Sequence, residues 1–73
     1  MKKIGILGRG FGIYGYMPCF LQLNYEVYTL NKYQSFIKSR KELSQYQNSI
    51  NFVSTEKKLL NNVDNLVIAR DPI

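Results

Sequence analysis

The sequence predicts an α/β fold in which four parallel strands alternate with flanking helices. Three observations lead to this prediction. Short apolar runs typical of strands recur along the chain, segments with helical spacing of apolar residues separate them, and polar residues or glycines mark the junctions. Strands alternating with helices at this spacing favour right-handed crossovers and a parallel sheet, for which 3-2-1-4 is the simplest order.

Four short runs are the predicted strands. Residues 3–7, Lys-Ile-Gly-Ile-Leu, are typical of a parallel strand buried on both faces. Residues 26–30 are rich in β-branched and aromatic side chains, residues 50–53 form a brief third strand, and residues 65–69 form an apolar fourth strand. Because no fifth strand covers the fourth, we expect an exposed sheet edge and self-association through it.

Three helices are predicted between these strands. The first spans residues 11–23, and Pro18 should kink it or break it in two because proline removes a backbone hydrogen bond. The second spans residues 35–46, and the third is a short helix capped by Ser54 or Thr55. The side chains expected on the buried sides are Phe11, Tyr14, Met17, Phe20 and Leu21 in the first helix and Phe36, Leu43 and Tyr46 in the second.

Composition narrows the range of functions. The chain has 73 residues, enough for one small unit, and its net charge of +5 raises the question of a nucleic-acid partner. Its basic residues are dispersed, and the one cluster, residues 38–41, is typical of a solvated helix face, with a phosphate-binding patch as the alternative. We therefore expect neither a nucleic-acid partner nor a membrane span.

Cysteine and histidine usage excludes two kinds of site. Cys19 is the one cysteine and there is no histidine, so neither an internal disulfide nor a usual zinc site is expected. The default setting is a reducing, cytoplasmic one. We expect Cys19 to be a small buried residue, because the sequence offers no base that would activate it as a nucleophile.

A glycine-rich turn follows the first strand and is the main functional signal. Two registers of the G-x-G-x-x-G spacing overlap there. One uses Gly10, Gly12 and Gly15, and the other starts at Gly8, continues at Gly10 and has Ile13 in the third place. The second register is preferred because it begins where the chain must turn. In a strand-turn-helix context such glycines allow close approach of a pyrophosphate to the helix amino terminus, although glycines also mark purely structural turns.

These features predict a partial Rossmann fold that binds NAD or NADP. Asn31 ends the second strand at the place where an acidic residue would bind the adenosine ribose. An amide does not repel a 2′-phosphate, and Lys32 beside it would attract one, so the preference leans slightly toward NADP. A polar loop residue beside a solvated lysine is the alternative interpretation.

The chain resembles the amino-terminal half of the Gfo/Idh/MocA oxidoreductases. The resemblance rests on the turn Gly8-Arg9-Gly10-Phe11-Gly12, on Pro18 inside the first helix, and on the acidic-then-apolar fourth strand, residues 64–69. It implies a nucleotide-binding segment of an NAD(P)-dependent enzyme acting on sugars or related polyols. Residues 1–73 would then be the first half of the nucleotide-binding domain, without the substrate domain.

The resemblance also implies roles for individual residues. The pyrophosphate would be held by Gly8, Gly10, Phe11 and Gly12, the ribose would meet Asn31 and Lys32, and the far side of the cofactor would lie near Ala69 and Arg70. Arg70-Asp71 departs from the family's usual Thr-Pro. The family's catalytic lysine lies in a Glu-Lys-Pro motif that this sequence lacks, so no catalytic residue is assigned and the 73-residue chain is expected to be inactive.

A non-catalytic dinucleotide-sensing regulatory module is the alternative function. Such modules also begin with a strand and a G-x-G turn. They usually keep an acidic residue after the second strand, and Asn31 speaks against this alternative.

Overall fold

The four predicted strands form one parallel sheet in a computed structural model that describes residues 2–8 and 12–69. The sheet has the order β3-β2-β1-β4, with helices on its flanks, which confirms the predicted α/β fold and strand order. The last strand ends one residue earlier than expected. The strands are β1 (Lys3–Leu7), β2 (Glu26–Leu30), β3 (Ile50–Val53) and β4 (Asn65–Ile68).

The helix after β1 changes type in the middle. A π-helical turn, Gly12–Tyr16, leads directly into α1, Met17–Gln22. Pro18 lies in the first turn of α1, directly after the π-helical turn, which is the part of an α-helix that tolerates proline best. The interruption expected at Pro18 is therefore present, as a change of helix type just before it.

The buried side of this helix is as expected at Met17 and differs at Tyr14. Ile13 and Met17 are fully buried, whereas Tyr14, expected in the core, is 38% exposed. Ile13 lies four residues before Met17, so the two side chains share one face of the helix, and Tyr14 is turned away from it. Cys19 was expected to be buried and is exposed, because it follows Met17 at roughly 200° around the helix.

Helix α1 ends in a left-handed residue, Asn24, at φ 65°. The N–H of Asn24 donates to the carbonyl of Leu21 at 3.1 Å, and the N–H of Tyr25 donates to that of Phe20 at 2.9 Å. The rings of Tyr25 and Phe20 lie 5.0 Å apart across the same turn. This is a Schellman termination with its hydrophobic contact, and it directs the chain into β2.

The second predicted helix, 35–46, is wrong as one continuous helix. It is divided into α2 (Gln34–Ser39) and α3 (Lys41–Ser44) by Arg40, whose backbone is extended at φ −102° and ψ 120°. Ile37 and Leu43 are both buried in the core, yet they would lie about 120° apart around an uninterrupted helix. The break at Arg40 lets both side chains enter the core. Short 3-10 turns, Asn31–Tyr33 and Gln47–Ser49, flank the pair.

The helix between β3 and β4 is α4, Glu56–Asn62. Thr55 is its cap, as one of the two predicted alternatives, because its Oγ1 accepts a hydrogen bond of 3.1 Å from the N–H of Lys58. Leu59 is fully buried and packs against β1 at Gly5, where a Cβ atom would lie 3.1 Å from its Cδ1. Gly5 thus lets α4 approach the sheet closely.

The core lies between the sheet and its helices. Thr29 is buried within it, and its hydroxyl donates a hydrogen bond of 2.7 Å to the carbonyl of Ile6, which links β2 to β1. Among the described residues, no helix has the length and apolar character needed to cross a lipid bilayer. The buried hydrophobic residues are Ile4, Ile6, Leu7, Ile13, Met17, Val27, Leu30, Tyr33, Ile37, Leu43, Ile50 and Leu59.

Candidate functional site

The carboxyl ends of the strands meet at one edge of the sheet because all four strands are parallel. β1 is central, with β2 on one side and β4 on the other. The chain leaves this edge at Gly8 after β1, at Asn31 after β2 and at Ala69 after β4. In open α/β sheets, ligands bind in the crevice outside the carboxyl ends of the strands.

Gly8 has a conformation and an environment that require glycine. Its φ is +122°, where side chains are strained, and a Cβ atom there would overlap the carbonyl oxygen of Ala69 and lie 2.6 Å from its carbonyl carbon. The N–H of Ala69 donates to the carbonyl of Leu7 at 2.8 Å, so the β1–β4 ladder continues to this point. The backbones of β1 and β4 are therefore in direct contact where Gly8 meets Ala69.

Tyr33 is a residue of the site that the sequence interpretation did not select. Its Oη accepts a hydrogen bond of 3.2 Å from the N–H of Gly8. The side chain is only 8% exposed and belongs to the 3-10 turn that directly follows β2. Its ring packs in the core, and its hydroxyl reaches Gly8 at the end of β1. The available sequence signal was its place immediately after the predicted ribose-binding residues Asn31 and Lys32.

Asn31 and Lys32 are both exposed beside this hydrogen bond. They open the turn Asn31–Tyr33 at the carboxyl end of β2. The Lys32 Nζ lies 5.6 Å from the centre of the Tyr33 ring, so its positive charge is near the aromatic face. The structure therefore brings Asn31, Lys32, Tyr33 and Gly8 to the same edge of the sheet.

The remaining predicted site residues are distributed as follows. Gly12 begins the π-helical turn, and Ala69 lies against Gly8. Gly10, Phe11 and Arg70 lie outside the described residues. The motif register that starts at Gly8 begins where β1 ends, and its third residue, Ile13, is fully buried.

An aromatic cluster joins the first helix to the α2–α3 segment. The Tyr14 ring meets Phe36 edge to face, with centroids 5.6 Å apart at 84°. The guanidinium of Arg40 lies 5.0 Å above the same Phe36 ring. Desolvation raises the pKa of Tyr14 above its ordinary value, the positive charge of Arg40 opposes this, and the nearby Glu42 adds to the increase. The cluster packs the π-helical turn that follows the glycine turn against α2.

Within residues 2–8 and 12–69 there is no group of three or more metal-binding side chains. What the carboxyl edge offers instead is a glycine turn, a buried hydroxyl and exposed amide and ammonium groups at Asn31 and Lys32. Neither a protein-family model, nor a curated protein, nor a solved structure matches the chain.

Proposed function

We propose that this chain binds a dinucleotide, NAD or NADP, in the crevice at the carboxyl ends of β1 and β2. The observation that carries the proposal is Gly8, which directly follows the central strand with φ +122° and has no room for a side chain. Such a glycine lets the chain turn sharply from the strand toward a helix whose free N–H groups attract a phosphate.

The path from the strand to the helix supports the pyrophosphate end of the proposal. Among the described residues, helical structure extends from Gly12 to Gln22 through the π turn and α1. The first N–H groups of a helix have no intrahelical partner, and the helix dipole favours an anion beside them. A pyrophosphate at this position would lie between Gly8 and the start of the π turn.

The ribose end would lie at Asn31 and Lys32. Both side chains are exposed at the end of β2, where the amide of Asn31 can hydrogen-bond ribose hydroxyls. The ammonium group of Lys32 supplies a positive charge that would attract the 2′-phosphate of NADP. The site therefore accepts NAD and NADP, with a slight preference for NADP.

The reaction class in the proposal comes from the resemblance to the Gfo/Idh/MocA oxidoreductases. It is carried by the turn from Gly8 to Gly12, by Pro18 and by residues 64–69. In this proposal the chain is the nucleotide-binding segment of an oxidoreductase that acts on a sugar or a related polyol. The chain contributes cofactor binding, and the acid or base for hydride transfer is not assigned to any of its residues.

Cofactor titration of the purified chain tests the binding proposal. We expect saturable binding of NADH and NADPH with a Kd of about 1 mM, which corresponds to about −4 kcal/mol. Replacing Gly10→Val should remove it, because a branched side chain would stand where the backbone approaches the pyrophosphate. Circular dichroism should show that the variant keeps its sheet and helices.

Gln45→Val is the matched control, because it introduces the same side chain at an exposed position at the end of α3, from which the chain leads to the amino end of β3. Its Kd values for NADH and NADPH should equal those of the parent. Equal binding by the parent and by Gly10→Val would show that the glycine turn is structural only. No saturable binding by the folded parent at several times about 1 mM would contradict the function itself.

A further inference from the structure

We propose that the hydroxyl group of Tyr33 is a diphosphate ligand, donating its hydrogen to a phosphate oxygen of the bound dinucleotide. This inference rests on the proposed function and deepens it, since it assigns a recognition role to a residue outside the glycine motif. It also makes the diphosphate, rather than the adenosine, the part of the ligand that Tyr33 recognises.

The hydroxyl group has one hydrogen-bonding function used and one left over. Its oxygen accepts from the N–H of Gly8 at 3.2 Å, in a buried setting. A phenol also carries one O–H donor. Within residues 2–8 and 12–69 the hydroxyl donates no hydrogen bond, and Tyr33 is more than nine-tenths buried, at 8% exposure.

A buried donor without an acceptor is costly, so the free O–H favours any acceptor that reaches the turn. The hydrogen bond to Gly8 holds the hydroxyl at the end of β1, so an acceptor that reaches it would lie near the residue that follows this strand. When the phenolic oxygen accepts a hydrogen bond from an N–H, the hydroxyl is polarised and its O–H becomes a stronger donor. A phosphate oxygen at the glycine turn is an acceptor of the required charge and size.

The neighbouring charge points to an anion as well. Lys32 Nζ lies 5.6 Å from the centre of the Tyr33 ring, on the exposed side of the same turn. Hydrogen bonds with one ionised partner are about twice as strong as neutral ones. The Gly8 N–H, the Tyr33 hydroxyl and the bound phosphate would thus form a short chain of hydrogen bonds, in which the Gly8–Tyr33 bond links the ends of β1 and β2 and the phosphate is the last acceptor.

The variant Tyr33→Phe tests this role because it keeps the ring in the core and removes only the hydroxyl. We expect its affinity for NADPH, NADH and ADP to fall about tenfold, as for the loss of one hydrogen bond to a charged group. Adenosine has no phosphate, so its affinity should not change. Tyr46→Phe is the matched control, since Tyr46 is a half-buried tyrosine that precedes β3, toward the opposite edge of the sheet.

A measurement on the unaltered chain keeps the inference falsifiable if Tyr33→Phe fails to fold. With tyrosines labelled at 13Cζ, addition of ADP should shift the Tyr33 resonance, and addition of adenosine should leave it in place. The Tyr46 resonance should respond to neither ligand. A Tyr33 resonance that is unmoved while ADP binds would overturn the role of the hydroxyl.

The possible outcomes separate this inference from the function on which it rests. If the parent binds NADPH and folded Tyr33→Phe binds it equally well, the hydroxyl is structural and dinucleotide binding stands. If Tyr33→Phe weakens adenosine and ADP to the same extent, Tyr33 shapes the nucleoside pocket and the diphosphate assignment is wrong. If the folded parent binds none of these ligands, the proposed function fails and this inference fails with it.

Discussion

No side chain fits between Gly8 and the carbonyl group of Ala69, so the carboxyl ends of β1 and β4 are in direct backbone contact. Replacing Gly8→Ala would combine an overlap with the Ala69 carbonyl and a strained φ of +122°. We expect the free energy of unfolding to fall by about 3 kcal/mol or more, a large share of a small domain's stability. Urea unfolding followed by circular dichroism measures this loss.

Gly5→Ala is the matched comparison for that experiment. A Cβ atom at Gly5 would lie 3.0 Å from the Leu66 Cδ1 and 3.1 Å from the Leu59 Cδ1, which are the ends of flexible side chains. Those ends can shift, so we expect a loss of only about 1 kcal/mol. A Gly8→Ala protein as stable as Gly5→Ala would show that the close contact at Ala69 does not constrain the turn.

Ile37 is a core residue that was not among the side chains predicted to lie on the buried side of the second helix. It is fully buried in α2, and the break at Arg40 allows Leu43 to be buried as well. We expect Ile37→Ala to lower the free energy of unfolding by about 2–5 kcal/mol through the cavity it leaves. The exposed neighbour Lys38→Ala should change it by less than about 0.5 kcal/mol. Similar urea midpoints for the two variants would contradict this account of the divided helix.

The sequence was sufficient to predict those parts of the fold whose signals are local. The apolar runs gave β1, β2 and β3 their bounds, and Thr55 stands at a helix start as a capping residue should. The divided helix was not predictable, because the pattern of Phe36, Leu43 and Tyr46 fits one continuous helix. The break follows from the burial of both Ile37 and Leu43 in one core, which a continuous helix would not allow.

The site was predictable in its backbone and not in its side-chain contacts. Gly8 could be selected because a glycine that directly follows a predicted strand and opens a G-x-G turn is recognisable from a single sequence. The bond from Gly8 to Tyr33 joins residues far apart in the chain. Tyr33 directly follows Asn31 and Lys32, but nothing local indicates that its hydroxyl reaches Gly8. Long-range contacts of this kind depend on how the strands are ordered in the sheet.

Asn31 should control the choice between the two cofactors. Asn31→Asp places a carboxylate at the exposed end of β2, where it accepts hydrogen bonds from the ribose hydroxyls and repels a 2′-phosphate. We expect the affinity ratio to shift toward NADH by roughly fivefold, or about 1 kcal/mol for two exposed charges. Parallel titrations with NADH and NADPH measure the ratio. An unchanged ratio would mean that Asn31 does not contact the ribose.

The outer edge of β4 should mediate self-association. β4 is the last strand of the sheet order, and its Ile68 is 62% exposed. Ile68→Lys should shift the chain toward the monomer, because a charge on an edge strand opposes pairing with another chain. Leu23→Lys is the control, since Leu23 is 66% exposed at the end of α1 and lies outside the sheet. Sedimentation velocity at several concentrations compares them, and equal association of Ile68→Lys and the parent would exclude this edge.

The central claim is that a dinucleotide binds at the carboxyl edge of this sheet, and mapping NADPH binding by 15N chemical shifts tests it most directly. The account predicts saturable shifts of the backbone amides of Gly8, Asn31 and Tyr33. The amides of Asn24 and Asp64, which precede β2 and β4 at the opposite edge, should stay in place. Saturable shifts confined to Asn24 and Asp64, or no saturable shift at Gly8 and Tyr33, would contradict the account.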